Sequence, residues 1–218
     1  MAGLKRDLVQ EARREVDMAR AQWAFVRDFD AACSMMAASL RDGLPWVPGN
    51  FIPSTDEEFV EAYEGGALDE ESKEIVGDLV KINRLGFLTT FSQPAADKTI
   101  RGQNGKRKRL LQTQAISGVT TFPRAHSMLN LPSGDIFVDV EGDTKKRPVT
   151  TVDGKVFTHN SPMPMSLQVE TFKRAGMNRS FLDQLRSECV TVSVTARFGY
   201  GGMFRDIIDV LDKTKRRR

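Results

Sequence analysis

Cysteine and histidine are scarce in this sequence, with two of each among 218 residues. Cys33 and Cys189 lie far apart without C-x-x-C spacing, so they read as buried thiols in a reducing compartment, not as a disulfide framework or a zinc site. Neither His126 nor His159 has a second histidine, cysteine or carboxylate at a ligand spacing, so no metal is expected. A catalytic nucleophile needs a base and an orienting group beside it. The isolated histidines offer neither, and paired-carboxylate and G-K-[ST] motifs are missing too, so no catalytic residue is assigned and a non-enzymatic protein is expected. Nothing approaches the roughly 20 apolar residues of a membrane span. Met1 to Arg14 carries charges where a secretory signal needs an apolar run. The expected location is intracellular and cytoplasmic, or packaged within a particle, and not secreted.

What is present is an ordinary globular composition, 40% hydrophobic and 28% charged, enough for one sizeable core with an appended arm. The formal charge of +3 is unevenly placed. Lys106, Arg107, Lys108 and Arg109 form one basic cluster, and Lys213, Lys215, Arg216, Arg217 and Arg218 form another, so the remainder is net acidic. Such clusters neutralise phosphate or an acidic partner surface, which makes nucleic acid or an acidic protein the expected partner there.

Residues 1–53 read as an N-terminal helical arm and connector. Leu4, Leu8, Ala12, Val16, Ala19, Trp23 and Val26 recur at helical spacing, and Phe25, Phe29, Cys33, Met36 and Leu40 extend a second stripe. The opposite face mixes charge signs, which suits solvent or a partner better than a membrane surface; residues 3–41 are therefore expected to contact other protein subunits. Gly43, Pro45 and Pro48 end the helix, and Trp46, Val47, Phe51 and Ile52 are expected on the surface. Thr55 to Glu58 is a capping box, and Asp69 is expected to cap the next helix.

That next helix belongs to the most informative stretch, Glu70 to Ala95. Ile75, Leu79 and Ile82 form an apolar stripe, Gly86 stops the helix, and Phe87 to Ser92 is β-branched, aromatic or small, as in a short buried strand. Pro94 ends the strand and fixes Ser92-Gln93-Pro94 as a corner expected to expose a hydroxyl and an amide. The run I-N-R-x-G-F-L-T-x-x-S-Q-P, with Glu71 and Ser72 at the helix start, resembles the C-terminal regulatory domain of methylenetetrahydrofolate reductase and related small stand-alone domains. The resemblance continues loosely through Leu110 to Gly118 and Cys189 to Lys213, about half of the chain. It implies an S-adenosylmethionine site at Glu71, Ser72, Thr89 and Ser92. Phe91 stands where that family usually has a polar residue, and would either stack on an adenine or fill the pocket. A regular strand sends Thr89 and Ser92 to opposite sides, so a shared pocket requires a bulge near Phe91. The resemblance does not reach the reductase's catalytic barrel. About 60 residues precede the matched stretch, where such a barrel needs about 250. It thus implies a regulatory-type binding module acting through partners. The alternative is a structural component of a large assembly, a minor virion, capsid or other particle protein, that kept the fold and lost the ligand.

Beyond the corner, Ala95 to Lys106 reads as a polar loop and Leu110 to Gly118 as one strand. Pro123 opens a helix that Pro132 closes, and Ile136 to Val140 is a strand. Asp153-Gly154 joins a hairpin of Val149–Val152 and Lys155–Thr158. Ser161 to Met165 reads as a linker, Asn178 to Ser187 as a helix, and Cys189 to Ala196 as a strand whose valines face inward. Gly199 to Gly202 then turns into a last helix, with the wrong glycine spacing for a dinucleotide loop. The expected fold is α+β, a mixed or antiparallel sheet packed with helices plus the N-terminal helical arm. Residues 54–212 form the domain and 213–218 a basic tail.

Overall fold

The helical N-terminus breaks into two helices, α1 (Ala2–Ala24) and α2 (Phe29–Asp42). Asp28 causes the break: its backbone is extended and its carboxylate accepts from Ala31 N at 2.7 Å, an N-cap that starts a new helix. The computed structural model describes residues 2–48, 53–66, 70–101, 105–131, 134–142, 147–159 and 162–216. Leu4's side chain, Phe51, Ile52, Asp69, Pro132, Arg217 and Arg218 lie outside the described residues. Both N-terminal helices pack into the common core, Val16 and Trp23 from α1 and Phe29 and Met36 from α2. Phe25, expected on the second stripe, falls between the helices and is 79% exposed, and Leu8 is only half-buried. Trp46 and Val47, expected on the surface, are buried there too, because the chain folds back under α1 and places Arg20 over the Trp46 ring.

α3 (Asp56–Gly65) opens with the capping box, Thr55 Oγ1 accepting from Glu58 N and the Glu58 carboxylate accepting from Thr55 N. Glu70–Ile75 winds as a 3-10 turn, and α4 (Val76–Arg84) begins only after it. Ile75, Val76 and Gly77 are poor helix formers, which accounts for the late start. The remaining elements are β1 (Phe87–Gln93), β2 (Ala96–Arg101), β3 (Arg107–Gln112), β4 (Ala115–Thr121), α5 (Phe122–Met128), β5 (Ile136–Val140), β6 (Arg147–Val152), β7 (Lys155–His159), α6 (Met165–Arg174), α7 (Arg179–Glu188), β8 (Cys189–Ala196) and α8 (Met203–Arg216).

The fold is α+β, with two antiparallel four-stranded sheets ordered β1-β4-β8-β5 and β2-β3-β6-β7. The first contains the expected strands at Phe87, Ile136 and Cys189 and the second half of the one expected over Leu110 to Gly118, and it carries the core. The second differs from expectation in two places. The polar stretch after Pro94 is β2, paired with β3. The single strand expected over Leu110 to Gly118 splits at Thr113-Gln114, because Thr113 N donates to Val149 O at 2.9 Å and draws β3 into the second sheet. The Asp153-Gly154 hairpin stands as expected, both turn residues having positive φ, 48° and 78°.

Three further features concern packing. Residues after the Ser161 linker form α6, whose Val169 and Phe172 are core residues. β8 is buried on both faces, so Thr191, Ser193 and Thr195 are as enclosed as Val192 and Val194, whereas Val190 and Ile208 are only partly buried. Lys213, Lys215 and Arg216 form the last turn of α8, where cations suit the helix dipole, and Lys215 Nζ donates to Arg84 O at 3.3 Å. Among the described residues, no helix is long and apolar enough to cross a membrane.

Candidate ligand site

Gly86 delivers the chain into β1, an edge strand of the first sheet. Its φ is 88°, and a Cβ there would lie 2.3 Å from Arg124 Cζ, so the left-handed turn and the buried guanidinium both require glycine. Thr120 Oγ1 donates to Gly86 O at 2.7 Å and ties the turn to β4.

β1 then carries an extra residue. Thr89 faces Gly118 and Phe91 faces Ser117, which leaves Thr90 as a bulge. The bulge resets the side-chain alternation. Thr89 and Ser92, which a regular strand would send to opposite faces, both meet the helical layer, Thr89 at Asn83 of α4 and Ser92 at Ser72 of the 3-10 turn. Phe91 takes the opposite face, opposite Ser117, and is 39% exposed. It therefore neither stacks over nor fills the Ser72–Ser92 side, which corrects the expectation drawn from the resemblance.

Ser72 and Ser92 form a hydroxyl pair. Ser72 Oγ donates to Ser92 O at 3.3 Å, and Ser92 Oγ donates to Ser72 Oγ at 3.2 Å. Both are long for hydroxyl bonds, which centre near 2.7–2.8 Å, so the pair is weakly committed to itself. Ser72 is buried and Ser92 half-buried. Thr89 is engaged differently: its N–H donates to Asn83 Oδ1 at 3.1 Å, and its hydroxyl accepts from Asn83 Nδ2 at 3.0 Å. Asn83 Nδ2 also donates to Leu79 O at 2.8 Å. Thr89 thus buckles β1 to α4. Glu71 lies in the same 3-10 turn as Ser72, and its side chain lies outside the described residues.

The Ser-Gln-Pro corner exposes less than expected. Gln93 is buried, and its Nε2 donates to Thr113 O at 2.9 Å and Val149 O at 3.3 Å, so this amide fastens the two sheets together. At the start of α8, the Met203 N–H donates to Gln114 Oε1 at 3.0 Å, so an internal amide occupies that helix start. His126 is exposed, and among the described residues no group of three His, Cys, Asp or Glu could hold a metal.

Two residues that shape the site escaped the sequence reading. Asn83 falls four residues after Leu79 on the buried stripe, a polar residue where an apolar one is expected, and that mismatch is the signal for a side chain with a fixed partner. Gly118 sits mid-strand, where glycine signals a close backbone approach.

The fold and site define the class as an α+β domain of two antiparallel sheets, with a bulged edge strand set against a 3-10 turn. A family model described as Domain of unknown function (DUF6919) matches residues 18–196, from within α1 to the end of β8, and the chain belongs to that family. Among curated proteins none matches the chain.

Proposed function

We propose that this protein is a non-catalytic binding module whose ligand sits over the Ser72–Ser92 hydroxyl pair, with Glu71 beside it in the 3-10 turn. The observation that carries this reading is the bulge at Thr90, which turns Ser92 toward the helical layer and against Ser72. Bulges at sheet edges commonly re-aim a side chain at a binding site. The pair's long mutual bonds are exchanged for ligand contacts at small cost. S-adenosylmethionine is the ligand implied by the resemblance to the reductase regulatory domain. Its sulfonium and amino group suit the Glu71 carboxylate, and its carboxylate and ribose oxygens suit the two serines. Thr89, held by Asn83, keeps the strand in place and does not reach the ligand.

Titration calorimetry of the full chain with S-adenosylmethionine and S-adenosylhomocysteine at about 1 mM tests this reading; absence of heat puts any affinity weaker than roughly −4 kcal/mol and overturns it. With binding, Ser92→Ala is expected to weaken affinity by about 1 kcal/mol and Glu71→Gln by about 1 to 3 kcal/mol.

A second reading, a subunit of a larger particle, is favoured by one feature. α1 and α3 line a groove of about 920 Å³ with Leu8, Val9 and Val60, with Arg6 and Arg13 from α1 and Glu57 and Glu61 from α3, Arg13 being bonded across it to Asp56 at 2.6 Å. Walls of opposite sign complement a second copy across a two-fold axis. Sedimentation of the purified chain tests it: self-association abolished by Val9→Asp supports this reading, and a monomer at every concentration removes it.

A further inference from the structure

The second sheet is thinly covered. Of its apolar side chains, Val149 alone is buried among the described residues, and β7 is exposed from Lys155 to Thr158. Its register sorts the side chains into two faces. On one face a row crosses all four strands: Lys98 pairs with Leu110, Leu110 with Val152, and Val152 with Lys155. Phe157 stands one row away on the same face, in line with Thr150, and Lys108 stands one row away on the other side, in line with Ile100. At about 4.8 Å per strand gap the row is about 14 Å wide.

Charge and aromatic character coincide there. Phe157 is 45% exposed, and Lys155 Nζ lies 5.6 Å from its ring centroid. Three lysines thus surround a half-buried apolar floor with an exposed ring. The reverse face carries Arg101, Arg107 and Arg109, the last held by Asp97 through bonds of 3.0 and 2.8 Å. Both faces of this thinly covered sheet thus carry cations.

We propose that the Lys98, Lys108, Lys155 and Phe157 face binds single-stranded nucleic acid, with the ammonium groups on phosphates and Phe157 stacked on a base. The ring stands among three cations over an apolar floor, the pairing of charge with a stacking platform that single strands use. Duplex hides its base faces, whereas a single strand offers both charge and π-faces. This proposal is independent of the Ser72–Ser92 site, which lies on the first sheet.

The test is fluorescence anisotropy of the full chain with a dye-labelled oligothymidylate of about 20 nucleotides at about 50 and 200 mM salt. Three phosphate contacts predict a roughly 20-fold weakening between the two salts. Lys108→Ala and Lys155→Ala are each expected to lower the log–log salt slope by about 0.7. Phe157→Ala is expected to weaken binding about tenfold at both salts with the slope unchanged, since stacking is not screened. Phe157→Leu, which keeps an apolar side chain and removes the ring, gives the same loss. Circular dichroism checks that each variant is folded. No binding at the lower salt overturns the proposal. So does duplex of equal length binding as tightly with Phe157→Ala neutral, which marks a general polyanion surface.

Discussion

Gly118 faces Thr89 across β4 and β1 at the point where β1 carries its extra residue, and a Cβ on Gly118 would lie 2.2 Å from the Leu88 carbonyl oxygen. The close approach and the bulge are one feature: the backbone of β1 folds into the space a side chain would occupy. Gly118→Ala is expected to destabilise the protein by about 1 to 3 kcal/mol, since backbone must move to admit the methyl group. Urea denaturation measures it. A change below about 0.5 kcal/mol would show that β1 does not close on Gly118.

Asn83 and Thr89 separate architecture from ligand contact. Asn83→Ala leaves the buried Thr89 N–H without its acceptor, so a loss of about 1 to 3 kcal/mol is expected. Thr89→Val removes only the hydroxyl, while Asn83 Nδ2 keeps the Leu79 carbonyl, and the cost is expected near 1 kcal/mol. If S-adenosylmethionine binds, Thr89→Val leaves its affinity unchanged. A weakened affinity with intact stability would return Thr89 to the binding surface.

The first sheet and its helices were legible because each element is short, periodic and punctuated. Leu79 and Ile82 mark one face of α4, continued from Ile75 in the 3-10 turn, and Gly86 marks its end. In the second sheet the β6–β7 hairpin was legible from its Asp153-Gly154 turn, but β2 was not, because it buries almost nothing and hydrophobic pattern is the signal that reveals strands. The break at Thr113 depends on a bond to Val149, distant in sequence, and so has no local signature. The bulge was inferred as a condition for Thr89 and Ser92 to share a face. Its position at Thr90, the turn of Phe91 to the other face and the Asn83 buckle are tertiary outcomes. β8 misled for a related reason: alternation of valine with threonine and serine reads as one wet face, yet Thr191, Ser193 and Thr195 are all buried, Ser193 between Ser117 and Asp139.

Both thiols should be inert in the native state. Burial pushes the Cys33 thiol far up from 9.0 and that of Cys189 up to about 12, and the nearby Arg124 opposes this without reversing it. An aromatic disulfide reagent near neutral pH is expected to label neither cysteine until denaturant is added. The linkage has a definite sign: above about pH 9 the unfolded chain releases thiol protons that the folded chain keeps, so stability falls as pH rises. The contribution of Cys189 is whole below its unfolded value of 9.0 and is lost on the way to about 12. Replacing both cysteines by alanine should flatten that part of the alkaline decline. An equal decline in parent and variant would mean the thiols ionise alike in both states.

The last prediction concerns the joint between the sheets. Arg147 of β6 donates to Asp139 of β5 through Nη2 at 2.8 Å and Nε at 3.0 Å, with the Asp139 side chain 3% exposed, and the guanidinium carbon lies 4.5 Å from the Phe137 ring centroid. Asp139 shares its face of the first sheet with Ser193 and Ser117, whose hydroxyl oxygens are 2.6 Å apart, so the ion pair caps a buried polar row that runs across three strands. Removing one partner strands a buried charge. Arg147→Met is expected to cost about 3 to 5 kcal/mol, much of it the penalty of the lone carboxylate. Removing both should cost less: Asp139→Leu with Arg147→Met deletes the charge along with its counter-ion, and the double-mutant cycle is expected to give a coupling of about 2 kcal/mol. Urea unfolding of the parent, the two single variants and the double variant closes the cycle. Single effects that add within about 0.5 kcal/mol would show that the two residues act separately and that the sheets are held together elsewhere, through the Gln93 amide and the Thr113 backbone.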